Sequence, residues 1–128
     1  MPHILLLETD RLLAQNLTKV LEDNGFSVSW QVDPQEAISD IDSSAADLII
    51  MDLVLAGRSG IEFLYEFRSY PDWQKTPILI YSSIPPAELG ACANSLDQLK
   101  IVAYHYKPAT SLVELAQSAQ ACLRLVPA

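Results

Sequence analysis

Five short apolar runs recur along the chain with a helical pattern after each, and this alternation constrains its fold more than any other feature. The runs span residues 4–7, 28–32, 48–51, 78–81 and 101–106. Three are nearly continuous, as strands covered on both faces of a parallel sheet should be. The run at 28–32 alternates more, which suits a strand nearer an edge. Between the first two runs, Leu13, Leu17, Val20 and Leu21 follow helical spacing, and Asn24-Gly25 closes the helix with residues that tolerate left-handed geometry. Asp33-Pro34-Gln35-Glu36 reads as an N-cap, a first-turn proline and a capping-box glutamate, opening a helix buried through Ala37, Ile38 and Ile41. Ile61, Leu64 and Phe67 line a third helix that Pro71 ends, and Ser111-Leu112-Val113-Glu114 opens the last, striped by Leu112, Leu115, Ala119 and Leu123. Residues 85–99 begin with Pro85-Pro86, contain Gly90 and offer few large apolar side chains, so they predict a short or irregular helix.

Strict βα alternation implies a doubly wound, five-stranded parallel sheet with right-handed crossovers and helices on both faces. The expected fold class is therefore α/β, with residues 1–128 forming one domain. Half of the 128 residues are apolar or aromatic, enough to bury a core without disulfides or a structural metal. Eight basic residues against 16 acidic ones leave a net charge of −8, which repels phosphate backbones and argues against direct nucleic-acid binding. Cys92 and Cys122 fit no metal-ligand spacing and read as small hydrophobes on amphipathic helices in a reducing compartment. The apolar run at 4–7 lacks a basic leader and is too short for a signal core or a membrane span, so a cytoplasmic address with no membrane association is expected.

In such sheets the functional crevice lies outside the carboxyl ends of the strands, where strand order reverses. The first strand ends in Glu8-Thr9-Asp10, the third in Asp52, the fourth in Ser82-Ser83, and the fifth runs into Lys107-Pro108. Polar and charged groups from four strands thus converge on one rim.

Together with these strand ends, the segment from Met51-Asp52 through Leu53-Val54-Leu55-Ala56-Gly57-Arg58-Ser59-Gly60 and the Tyr104-His105-Tyr106-Lys107-Pro108 run resemble the bacterial response-regulator receiver domain. The resemblance covers essentially the whole chain, and it implies the flavodoxin-like (βα)5 fold shared with CheY-like proteins. It implies further that Asp52 is the phosphoacceptor, supplied by a histidine kinase or phosphotransfer protein. An aspartate carboxylate is a competent nucleophile toward an activated phosphoryl group when a cation neutralises the incoming charge. Lys107 matches the lysine that pairs first with the acceptor and then with the phosphoryl oxygens, and Pro108 the proline whose cis bond aims it. Ser82 matches the switch hydroxyl and Tyr104 the aromatic that moves with its loop. Glu8, Asp52 and the backbone carbonyl of Val54 match the shell of a Mg²⁺ ion. The face formed by the fourth helix, the fifth strand and the last helix is the expected contact for an output domain or partner protein. Such a chain is a phosphoacceptor switch, with at most slow self-catalysed phosphotransfer and dephosphorylation, and not a metabolic enzyme.

The departure lies in the acidic pocket. Two adjacent carboxylates normally follow the first strand, and here Thr9 replaces the second. Mg²⁺ prefers carboxylates and retained waters, so losing one weakens the site by roughly tenfold to a hundredfold. Asp10 is one place further on, where it caps the first helix; it supplies a ligand only if the loop turns. Thr9 therefore keeps open an alternative, a pseudo-receiver acting as a phosphorylation-independent interaction module. Ala56 stands where proline is common, and the stretch from Ser82 to Lys107 runs a few residues long. Other chemistries lack their residues: there is no Gly-x-Gly-x-x-Gly or Walker loop, and no hydroxyl- and glycine-rich FMN loop after the first strand. Val54 occupies the place where a haloacid-dehalogenase-type phosphatase needs its second aspartate, and His3 and His105 lack a recognisable nucleophile. The last residues, Val126-Pro127-Ala128, leave a stand-alone receiver or a piece of a larger regulator as the expectation.

Overall fold

The structure is a computed structural model that describes residues 1–55 and 58–125, the side chains of Arg58 and Leu125 excepted. Ala56, Gly57 and residues 126–128 lie outside it, and with them the expectations attached to Ala56 and to the last three residues.

Five strands form one parallel sheet: β1 (His3–Leu7), β2 (Ser27–Gln31), β3 (Leu48–Met51), β6 (Ile78–Ser82) and β7 (Ala103–Tyr106), in the spatial order β2-β1-β3-β6-β7. Every residue of β3 and β6 is buried, whereas β2 and β7 are half-buried throughout, which is the signature of central and edge strands. The chain winds from β1 to β2 on one side, then crosses to β3 on the other, so strand order reverses between β1 and β3. A short antiparallel pair, β4 (Val54–Leu55) with β5 (Arg58–Ser59), follows β3 and was not expected from the sequence.

Five helices cover the sheet: α1 (Arg11–Asp23), α2 (Pro34–Ser43), α3 (Gly60–Ser69), α4 (Cys92–Gln98) and α5 (Leu112–Leu125). Alternate strand residues feed two cores. Leu5, Leu7, Ile49, Met51, Ile78 and Ile80 pack with Ala37 and Ile41 of α2 and with Phe63, Leu64 and Phe67 of α3. Ile4, Leu6, Leu48, Ile50, Leu79 and Tyr81 pack with Ala14, Leu17 and Leu21 of α1 and with Leu115, Ala116 and Ala119 of α5. The helix starts follow their capping chemistry. Asp10, Asp33 and Ser59 each accept a first-turn N–H, and Ser111 and Glu114 exchange both bonds of a capping box. Gly25, at φ +91°, turns the chain out of α1 toward β2.

The segment before β7 is irregular, as its composition implies: a 3-10 turn at Pro86–Glu88, Gly90 at φ +55°, then the seven-residue α4. Cys92 corrects its expectation. It begins this short helix with its side chain exposed, while Cys122 is buried on the inner face of α5 as anticipated. Residues 101 and 102 precede the last strand and do not belong to it. Among the described residues, no helix is long and apolar enough to cross a membrane.

Candidate functional site at the strand crossover

Register in the sheet brings the acidic residues together. Leu7 is aligned with Met51, so Glu8 and Asp52, one step further along each strand, emerge side by side at the point where strand order reverses. The Asp52 N–H donates to the Leu7 carbonyl at 3.2 Å, carrying the ladder to the floor of the site. Ser82 is aligned with Tyr106, so Lys107 leaves the edge strand beside the end of β6. Glu8 is 2% exposed, Asp52 5% and Ser82 0%, so three polar residues at three strand ends are buried.

Two adjacent buried carboxylates demand a cation. Lys107 supplies it: its ammonium lies 2.7 Å from Glu8 Oε1 and 2.8 Å from Asp52 Oδ2. The other oxygens are also engaged, Glu8 Oε2 by the Asp10 N–H at 2.9 Å and Asp52 Oδ1 by the Val54 N–H at 3.2 Å. Burial by itself would lower the Lys107 pKa, but hydrogen bonds and opposite charge from Asp52 and Glu8 outweigh it and hold the pKa above the ordinary lysine value. The ammonium is therefore a fixed positive charge at neutral pH.

Pro108 requires a correction. No cis peptide bond occurs among the described residues, so the Lys107–Pro108 bond is trans. Lys107–Ala109 form one 3-10 turn after β7, closed by the Thr110 N–H on the Lys107 carbonyl at 3.3 Å. Proline suits the second position of such a turn, where its missing N–H has no acceptor to serve. From this turn the Lys107 stem already reaches both carboxylates.

Thr9 and Asp10 are exposed. Asp10 Oδ1 accepts the Leu13 N–H at 3.1 Å, so its carboxylate caps α1 as expected. Among the described residues, no group of three or more His, Cys, Asp or Glu is placed to hold a metal ion. Glu8 and Asp52 form a pair of carboxylates, and Mg²⁺ commonly takes only one or two from the protein, filling its shell with waters and substrate oxygens. The donor set fits that ion at its lower limit.

Ser82 and Tyr104 converge on the backbone of one residue, Ile84. Ser82 Oγ accepts the Ile84 N–H at 3.2 Å, and the Tyr104 hydroxyl donates to the Ile84 carbonyl at 2.6 Å. Burial raises the Tyr104 pKa; the Ser82 hydroxyl opposes this and the Asp52 charge adds to it. The segment entering the irregular region is thus held by the two residues singled out as a switch pair.

Three further residues shape the site. A Cβ on Gly60 would lie 2.7 Å from Leu53 Cα and 2.9 Å from the Asp52 carbonyl, so only glycine lets α3 start directly on the acceptor strand's exit. The Trp30 indole N–H donates to the Glu8 carbonyl at 2.8 Å, tying edge strand β2 to the acidic loop. Tyr81 lies beneath Lys107. Gly60 was visible as the last glycine of a spaced pattern, but Trp30 and Tyr81 looked like ordinary strand aromatics.

Residues 4–108 match the family model described as the response regulator receiver domain. The chain is 31% identical over 124 residues to the transcriptional regulatory protein QseB of Escherichia coli O157:H7, an alignment covering 95% of this chain and 53% of that one. It thus spans about half the length of that curated relative, and only about a third of the response regulator MprA of Mycolicibacterium vanbaalenii. Among solved structures, a two-component response regulator from Clostridium difficile superposes with a TM-score of 0.86 at 26% identity over 100% of both chains. The chemotaxis protein CheY4 of Vibrio cholerae shares the fold at a TM-score of 0.84, with 22% identity over 94% of this chain and 98% of that one. A parallel sheet in this strand order, an acidic pair at its crossover and a match across residues 4–108 lead to one conclusion: the chain belongs to the response regulator receiver domain family of two-component systems.

Proposed function

We propose that Asp52 accepts a phosphoryl group from a histidine kinase or phosphotransfer protein, and that the chain acts as a switch and not as a turnover enzyme. The observation that carries this reading is the Lys107 ammonium bridging buried Asp52 and Glu8 at 2.8 and 2.7 Å. In the transfer, an Asp52 carboxylate oxygen bonds to phosphorus while the phosphorus–nitrogen bond of the donor phosphohistidine breaks. The leaving imidazole carries away the bonding pair and takes up a proton. Lys107, kept charged by its two partners, then exchanges the Asp52 carboxylate for a phosphoryl oxygen, a change suited to a mobile point charge. Ser82 gives up the Ile84 N–H to donate to the phosphoryl group. That releases a segment which Tyr104 also grips, and so reshapes the face of α4, β7 and α5 offered to an output domain or partner protein.

Glu8, Asp52 and the Val54 carbonyl are the groups that would hold Mg²⁺. When bound, the ion neutralises charge on the incoming phosphoryl oxygens. The test is incubation with acetyl phosphate and Mg²⁺, read by intact mass. Wild type should gain one phosphoryl group and Asp52→Asn none; equal labelling of both would remove the assignment. A second reading, an interaction module that works without phosphate, is favoured by the exposed Thr9 beside a two-carboxylate pocket. A wild type that gains no mass across a wide Mg²⁺ range would select it.

A further inference from the structure

Tyr81 is the last residue before Ser82 in β6, and both ends of its side chain bear on Lys107. It is buried, on the sheet face packed by α1 and α5, opposite to Ile80. Its ring centroid lies 5.7 Å from the Lys107 ammonium, within the range where a cation is attracted to an aromatic face. Its hydroxyl donates to the Thr110 carbonyl at 3.0 Å, and the Thr110 N–H closes the turn onto the Lys107 carbonyl at 3.3 Å. One side chain thus touches the tip of the lysine and braces the turn at its root. An aliphatic residue would fill the same layer and make neither contact.

We propose that Tyr81 is a positioning residue for the chemistry at Asp52, holding Lys107 across the two carboxylates so that the ammonium is in place when a phosphoryl group arrives. This rests on the reading of Asp52 as the phosphoryl acceptor. Lysine has a flexible four-carbon stem and three rotatable donors, so two carboxylate contacts leave it free to swing toward solvent. The ring restricts that swing without competing for the ammonium's hydrogen bonds. It also stays in contact while the lysine exchanges a carboxylate oxygen for a phosphoryl oxygen, because an aromatic face imposes no fixed bond direction.

The experiment compares the full chain with Tyr81→Leu and Tyr81→Phe in two separate measurements. The first, without phosphodonor or metal, follows acylation of Lys107 by a small amine-reactive ester using peptide mass spectrometry, with exposed Lys75 as the internal standard. Tyr81→Leu should speed Lys107 acylation by about fivefold relative to Lys75. Tyr81→Phe, which keeps the ring and loses the brace, should fall between it and wild type. The second measures Asp52 phosphorylation across acetyl phosphate concentrations at fixed Mg²⁺. The maximal rate should drop by about tenfold in Tyr81→Leu, with the half-saturating donor concentration unchanged and partial rescue in Tyr81→Phe. A folded Tyr81→Leu that matches wild type in both measurements overturns the proposal. If Tyr81→Leu does not fold, a Tyr81→Phe whose Lys107 acylation equals wild type overturns it. A wild type that takes no phosphoryl group sinks the acceptor reading and with it the role at Asp52. A phosphorylatable wild type whose variants behave identically sinks only the role of Tyr81.

Discussion

At Thr9 the chain places an exposed hydroxyl next in sequence to Glu8, whose carboxylate is buried against Lys107. Replacing it with a carboxylate should restore the oxygen ligand and the charge that this pocket lacks. Mg²⁺ should bind Thr9→Asp about tenfold or more tightly than wild type, measured calorimetrically. The metal-free variant should be slightly less stable, since a third acidic group then faces one lysine. Equal Mg²⁺ affinities would mean that Asp10 leaves its cap on Leu13 to serve the ion. Asp52, Ser82 and Lys107 were legible as single residues because polar side chains directly after apolar strands stand out from their surroundings. Tyr81 and Trp30 were not, because a half-apolar ring within a strand looks the same whether its polar tip meets water or a neighbouring loop.

Arg68 on α3 shows how one side chain can set the place of a whole element. Its guanidinium donates to four backbone carbonyls: Leu99 at 2.9 Å, Trp73 at 2.7 Å, Thr76 at 2.8 Å and Lys100 at 3.3 Å. It thereby ties the end of α4 to α3 and to the entry of β6, beside Lys100 at the left-handed φ of 59°. The opposite end of α4 has no side-chain cap. Arg68→Met should cost about 2–3 kcal/mol in chemical denaturation, because charge-assisted bonds are lost and half-buried carbonyls go unserved. Amide exchange should quicken at Leu99, Lys100 and Ile101, whose N–H groups bond back to Ser95, Asp97 and Leu96. Arg68→Lys should recover little, since a compact ammonium cannot reproduce the planar fork. Unchanged exchange at those amides would show that α4 is held without Arg68. The irregularity of this element was readable from Pro85-Pro86 and Gly90, whereas its anchor, 31 residues from Leu99 in sequence, was not.

For the molecule as a whole, the response to pH follows from which groups the fold buries. Burial pushes the His105 imidazole below its ordinary value, with Glu114 pulling weakly the other way, and its Nε2 lies 2.8 Å from Ser118 Oγ between β7 and α5. The unfolded chain therefore takes up a proton there before the folded chain does. Stability contributed by neutral His105 is present above the ordinary histidine value and declines as pH falls toward the depressed one. Lys107 acts at the other extreme: its contribution is complete below the ordinary lysine value and is lost as pH rises through the raised one. The unfolding midpoint should thus fall on acidification from about pH 7 through the histidine range, and His105→Gln should flatten that decline; an unchanged slope would remove His105 from the account. What the amino-acid order determined by itself is the alternation of strands and helices, the two-faced burial of the central strands and the polar residues at their ends. Those follow from periodicities of 2 and 3.6, which are local. The resemblance already paired Lys107 with Asp52, 55 residues away, but only the tertiary structure decided that Glu8, 99 residues from Lys107, completes a three-membered ion cluster. The trans bond before Pro108, the brace from Tyr81 and the clasp of Arg68 were settled there too. Such contacts depend on the register of parallel strands joined by long crossovers, and no local pattern in the chain encodes that register.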